Sequence, residues 1–185
     1  GLVALVVVLI ATVAAMIFFT LKPNVPTQTF ALTAPQIVGD KHILVFGATG
    51  SLGSEIVQDL TARGDKVTAF VRATSDRSQL EPLGVDFVVG DVMDMTSVEE
   101  AFRAGEYDGV ISTIGAAREA NVDYQGNVNI FTAAKAANVP RVIMISTIGA
   151  GDSAAAAPLI SRIALAKVLP QKTQAEDVLR SSGLE

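Results

Sequence analysis

Apolar side chains fall along this 185-residue chain in two contrasting patterns. Over residues 1–21 they are nearly continuous: the run carries no charge, and Thr12 and Thr20 are its only polar side chains. About 20 such residues in an α-helix span about 30 Å, the thickness of a bilayer core. In lipid, a single pass must satisfy its own backbone hydrogen bonds, which a helix does. A transmembrane helix is therefore expected over 1–21, with Phe18, Phe19 and Lys22 at one interface. The competing readings are a secretory signal, which has a shorter apolar core, and a buried core helix. No period persists from 22 to 40, where Pro23, Pro26 and Pro35 punctuate a stretch read as a semi-extended linker.

From residue 41 to 185 the pattern changes to short apolar runs alternating with helix-like segments. Strands are expected at 43–46, 66–71, 87–89, 109–112 and 141–146, and helices at 51–63, 96–104, 122–137 and 172–182. Alternation of this kind is the rhythm of βαβ units, so the expected fold is α/β, a Rossmann-like doubly wound parallel sheet. Strands covered on both faces read as unbroken apolar runs, as Val142-Ile143-Met144-Ile145 does. Asp94 or Thr96 is expected to cap the second of these helices, with Glu99 and Glu100 in its first turn facing either the dipole or solvent. The alanine run at 154–157 implies nothing further.

Between the first strand and the first helix lies Gly47-Ala48-Thr49-Gly50-Ser51-Leu52-Gly53. Strand, glycine turn and helix in that order make a dinucleotide cradle. Gly47 turns the chain, Gly50 lets the backbone approach a pyrophosphate, and Gly53 lets helix and strand pack closely. The helix start then offers unpaired N–H groups to phosphate. Gly47, Thr49, Gly50, Ser51, Leu52 and Gly53 are accordingly the candidate phosphate-side residues. A glycine turn used for shape alone is the competing reading.

Composition narrows the partners. Half of the residues are hydrophobic, and the mean hydropathy of +0.44 traces to the amino-terminal run. A net charge of −5 with no basic stripe argues against nucleic acid. The absence of cysteine excludes disulfides, a thiolate nucleophile and cysteine-bound zinc. No metal-spaced His/Asp cluster, Ser/His/Asp set or Gly-x-Ser-x-Gly elbow is present. The single histidine, His42, stands at the wrong end of the first strand for chemistry and is read as structural.

The glycine spacing, followed by Gly90-Asp91-Val92, Ser112-Thr113-Ile114-Gly115 and Ser146-Thr147-Ile148-Gly149, resembles the atypical short-chain dehydrogenase/reductases, the NmrA-like or NAD(P)H-binding group. The resemblance runs from about residue 42 to the end. It implies that Asp91 and Val92 flank the adenine, against a plain turn role for Asp91. It also implies that Thr113, Ile114 and Gly115 line the ribose and nicotinamide side, and it places Asn127 near the groove. For Asp123, Asn127 and Asn129 the expectation from the helix itself is a solvated surface. A carboxylate about 20 residues past the glycines holds the adenosine ribose of NAD, whereas an arginine favours a 2′-phosphate. Strand 66–71 has no acidic residue and ends at Arg72, with Arg77 nearby, so NADP(H) is favoured over NAD(H). An ordinary solvated arginine is the alternative.

In that family a tyrosine four residues before a lysine donates the proton. If Lys172 is that lysine, Val168 occupies the tyrosine position; the residues four beyond Tyr107 and Tyr124 are Ile111 and Val128. Ser146 matches the family's serine and either orients a carbonyl or only satisfies a strand end. Ser146 and Lys172 are thus the candidate catalytic residues of a site lacking its proton donor. The expectation is a membrane-anchored NAD(P)(H)-binding protein acting as an accessory or assembly subunit of a membrane complex, with membrane lipid contacted through 1–21. The alternative is an NADPH-dependent reductase of a small or lipophilic carbonyl or quinone. Similar family members serve respiratory complex I and chlorophyll-complex assembly, which implies a thylakoid or inner mitochondrial membrane.

Overall fold

The computed structural model describes residues 39–115 and 121–184. The expected transmembrane helix at 1–21, and the linker up to residue 38, lie outside them. Among the described residues no helix is long and apolar enough to cross a membrane.

Five parallel strands form one sheet: β1 (His42–Phe46), β2 (Lys66–Val71), β3 (Asp86–Val89), β4 (Gly109–Ser112) and β5 (Val142–Met144), in the order β3-β2-β1-β4-β5. β1 is central, with Phe46 opposite Phe70 on one side and Ser112 on the other. Successive side chains of a strand point to opposite faces, and each face has its own core. Leu44, Phe46, Phe70 and Val110 pack on one side with Phe102, Phe131 and Ala175, while Val45, Val67, Ala69 and Val71 pack with Val57 on the other. Phe46 anchors the first cluster, its ring centroid 4.8 Å from that of Phe70 and 6.0 Å from that of Phe102.

The helices are α1 (Ser51–Ala62), α2 (Met95–Arg103), α3 (Asn127–Ala136), α4 (Leu159–Ala164) and α5 (Val168–Ser182). Asp94 caps α2 by accepting from the Thr96 N–H at 3.1 Å. Glu99 and Glu100 sit one turn further on than expected, and Glu99 pairs with Arg103 at 2.6 Å. The expected helix 122–137 divides into a π-turn, Val122–Gly126, and α3, with the Asn127 side-chain Nδ2 donating back across the junction to the Asp123 carbonyl at 2.8 Å. β5 is shorter than expected because β4, its only partner among the described residues, ends at Ser112, opposite Met144. α5 starts a turn before Lys172, and Pro170 is accommodated because first-turn N–H groups have no helical acceptor.

His42 stands at the amino end of β1, its Nε2 2.9 Å from Thr68 Oγ1 and its ring centroid 4.6 Å from that of Tyr107. Burial first, and the Lys66 charge second, hold its pKa below the ordinary value. The folded state therefore disfavours the imidazolium. Its contribution to stability is intact above the unfolded value of about 6.5 and is lost as pH falls from there toward the lower folded value. Thermal unfolding of the wild type and His42→Gln at about pH 8 and about pH 5.5 is expected to show a larger acid-induced loss in the wild type.

Candidate dinucleotide site

β2 and β4 leave β1 on opposite sides, and at that switch point the carboxyl ends of the strands open a cleft. The cleft measures about 300 Å³, within the range of small-molecule sites. It is lined by Gly47, Thr49 and Gly50 after β1; Phe70, Val71, Arg72 and Ser75 at the end of β2; Asp91 and Val92 after β3; and Thr113, Ile114 and Gly115 after β4, with Val122 closing it. The expected residues Ser51, Leu52 and Gly53 form the first turn of α1. Phe70, Val71, Ser75 and Val122 were not anticipated. The position of Phe70 and Val71 at the carboxyl end of β2 was the available signal for those two.

The turn is tight for identifiable reasons. Gly47 has φ of +80°, which L side chains rarely adopt. A Cβ on Gly53 would lie 2.9 Å from both the Gly47 carbonyl carbon and Thr113 Oγ1. The Thr113 hydroxyl, 3.0 and 3.1 Å from the Phe46 and Gly47 carbonyl oxygens, and the Thr113 N–H, 2.9 Å from Phe46 O, tie the turn to the end of β4. α1 begins at an extended Gly50 with no side-chain cap and no acidic residue in its first turn. Its first N–H groups and the positive end of its dipole are thus offered to an anion without internal competition. These features fit a diphosphate.

After β2, exposed Arg72 closes a turn in which Ser75 N–H donates to the Arg72 carbonyl at 3.0 Å. Arg77 instead lies over the Phe87 ring, 5.4 Å from its centroid. Asp91 accepts from the Met93 N–H at 2.9 Å, so its carboxylate shapes the loop while bordering the cleft.

The polar group at the start of α3 is buried, contrary to the solvated surface expected of it. Asp123, Asn127 and Asn129 are 2%, 0% and 7% exposed. Ser112 Oγ donates to Asn127 Oδ1 at 2.7 Å, and Asn129 Nδ2 donates to the Val92 carbonyl at 2.8 Å. A helical period read these residues as surface, but Asp123 meets Lys172 on α5, Asn127 meets Ser112 at the end of β4, and Asn129 meets the loop after β3, so each is covered by a different element. Lys172, on α5, is also buried. Its Nζ donates to the carbonyls of Ile114 at 2.7 Å and Ile145 at 3.2 Å, and pairs with Asp123 Oδ1 at 3.2 Å. Three protein oxygens thus surround the ammonium. Ser146 Oγ donates to Glu176 Oε1 on α5. Neither Ser146 nor Lys172 is among the residues lining the cleft. Val168 opens α5, four residues before Lys172, and the Tyr107 hydroxyl donates to Ala101 O at 3.0 Å.

A family model described as NAD(P)H-binding matches residues 47–185. The sterol demethylase protein B of Methylococcus capsulatus is 35% identical over 113 residues, 58% of this chain and 34% of that protein. The photosystem II assembly factor Ycf39 of Cyanophora paradoxa is 29% identical over 148 residues, 77% of this chain and 42% of that protein. The chain thus spans well under half the length of these curated relatives. Among solved structures, ChuY, an anaerobillin reductase from Escherichia coli O157:H7, superposes with a TM-score of 0.69 at 29% identity, covering 78% of this chain and 69% of that one.

Gly53→Ala is expected to push α1 off the turn, abolishing calorimetrically measured dinucleotide binding and lowering the unfolding midpoint. Lys172→Met removes the cation beside a buried carboxylate and is expected to cost about 3–5 kcal/mol in chemical denaturation. Adding Asp123→Leu should restore much of that loss.

Proposed function

Because the chain belongs to the NAD(P)H-binding family, we propose that it is a membrane-anchored dinucleotide-binding protein serving as an accessory or assembly subunit of a membrane complex. The nucleotide is then a structural or sensing ligand. The observation that carries this reading is the engagement of Lys172 by Ile114 O, Ile145 O and Asp123, together with Val168 in place of a tyrosine. The nicotinamide would supply hydride chemistry, but these residues hold the lysine in the framework and provide no phenol to deliver the accompanying proton. The Ycf39 likeness supports the same reading, since that relative is a photosystem II assembly factor. By that analogy the membrane is a thylakoid, with the inner mitochondrial membrane as the alternative, and residues 1–21 hold the chain in it.

Within the cleft, the diphosphate would rest on Gly47, Thr49, Gly50 and the first turn of α1, Ser51 to Gly53. The adenine would lie between Asp91 and Val92, and the nicotinamide side along Thr113, Ile114 and Gly115. Arg72 borders the cleft at the end of β2 and could meet a 2′-phosphate, and β2 carries no acid to receive a free ribose hydroxyl, which supports a coenzyme that carries that phosphate. NADP(H) is therefore the preferred coenzyme. A second reading, an NADPH-dependent reductase of a lipophilic carbonyl or quinone, is favoured by the likeness to ChuY, a reductase.

Single-turnover absorbance of bound NADPH with a panel of quinones and aldehydes separates the two. Unchanged absorbance, with the full-length protein co-purifying with a membrane assembly, is the expected result; substrate-dependent oxidation would establish the reductase. Arg72→Ala is expected to weaken NADPH binding by about tenfold or more, as loss of a charge-assisted contact implies, while leaving NADH binding nearly unchanged in titration calorimetry.

A further inference from the structure

Helix α4 presents Leu159, Ile160 and Ile163, which are 70%, 69% and 69% exposed. Successive residues of an α-helix are about 100° apart, so these three share an arc of about 100°. Ser161 and Leu165, both half-buried, turn toward the body of the protein. Single exposed apolar residues are ordinary, but three on one face make a contact surface.

Charge indicates what that surface meets. Between Asp152 and Glu176 the sequence has no acidic residue, although the chain as a whole carries −5. In that stretch Arg162, on α4, and Lys167, in the turn that follows it, are exposed. A second copy would bring the same cations to the contact and meet them with like charge. An apolar face edged by cations suits the boundary between headgroups and acyl chains of an anionic bilayer. In the chain α4 lies between β5 and α5. The loop leaving β5 precedes it, and α5 follows, with Lys172 gripping the carbonyls that end β4 and β5.

We propose that α4 lies on an anionic membrane surface, with Leu159, Ile160 and Ile163 among the headgroups and Arg162 and Lys167 on lipid phosphates. This rests on the membrane-anchored reading only for the nearness of a bilayer.

The sequence has no cysteine, so single cysteines can carry an environment-sensitive NBD probe. Ile160→Cys and Ile163→Cys report on α4, and Gln58→Cys, exposed on α1, serves as control. The full chain would be reconstituted into vesicles of phosphatidylcholine with or without phosphatidylglycerol, with nitroxide-bearing lipids as quenchers. In the anionic vesicles the α4 probes are expected to shift to the blue and lose intensity to the nitroxide, the Gln58→Cys probe to do neither, and Arg162→Glu with Lys167→Glu to abolish both signals. Vesicles that retain the chain while the α4 probes remain in water would overturn the proposal and leave the anchor standing. A chain that leaves the vesicles altogether would overturn both. A blue shift that grows with protein concentration in the absence of lipid would give the face to a second copy and likewise overturn it.

Discussion

The site depends on how closely the start of α1 approaches the end of β1. Any side chain on Gly53 would be driven into the Gly47 carbonyl and the Thr113 hydroxyl, so the helix meets the sheet only because that position holds hydrogen alone. Three consequences follow from the contact. α1 is aimed with its unpaired N–H groups at the mouth of the cleft. The turn is pinned to β4 through Thr113, which joins the two halves of the sheet where their order reverses. The cleft-facing side of the turn presents the small residues Gly47, Thr49 and Gly50, so backbone groups lie close to its mouth.

On the far side of the switch point the framework is held by charge rather than by shape. Lys172 gathers the carbonyls that end β4 and β5, together with the Asp123 carboxylate of the π-turn. Removing such an ion from water is costly, and its excess over an apolar substitute is small or negative. What it supplies is position: a lysine so held fixes the Thr113–Gly115 segment from behind. The Lys172 ammonium is thus part of the scaffold.

The sheet was legible in the sequence because each of its five strands is a short apolar run between turn residues, and a parallel sheet imposes that pattern. The glycine turn was equally legible, since strand, turn and helix follow one another without a gap. Distant contacts were harder to read. Asp123, Asn127 and Asn129 look like the wet side of a helix until Lys172, Ser112 and Val92, each from another element, meet them, and no local period carries that information. Phe70 and Ser75 border the cleft because of where β2 ends. The first turn of α5 was missed for a different reason, since a proline so near a helix start is permitted but gives no signal for where the helix begins.

The walls of the cleft come from two stretches of chain, one ending near Val92 and the other beginning near Thr113, which meet along β1 and β4. Any molecule spanning that seam acts as a rivet, adding RT ln(1 + [L]/Kd) to the work of pulling the stretches apart. At a hundredfold excess over Kd that is about 2.7 kcal/mol, a large fraction of what holds an ordinary domain together. Cellular coenzyme supply would then be read out as resistance to proteolysis and turnover, with no chemical step required.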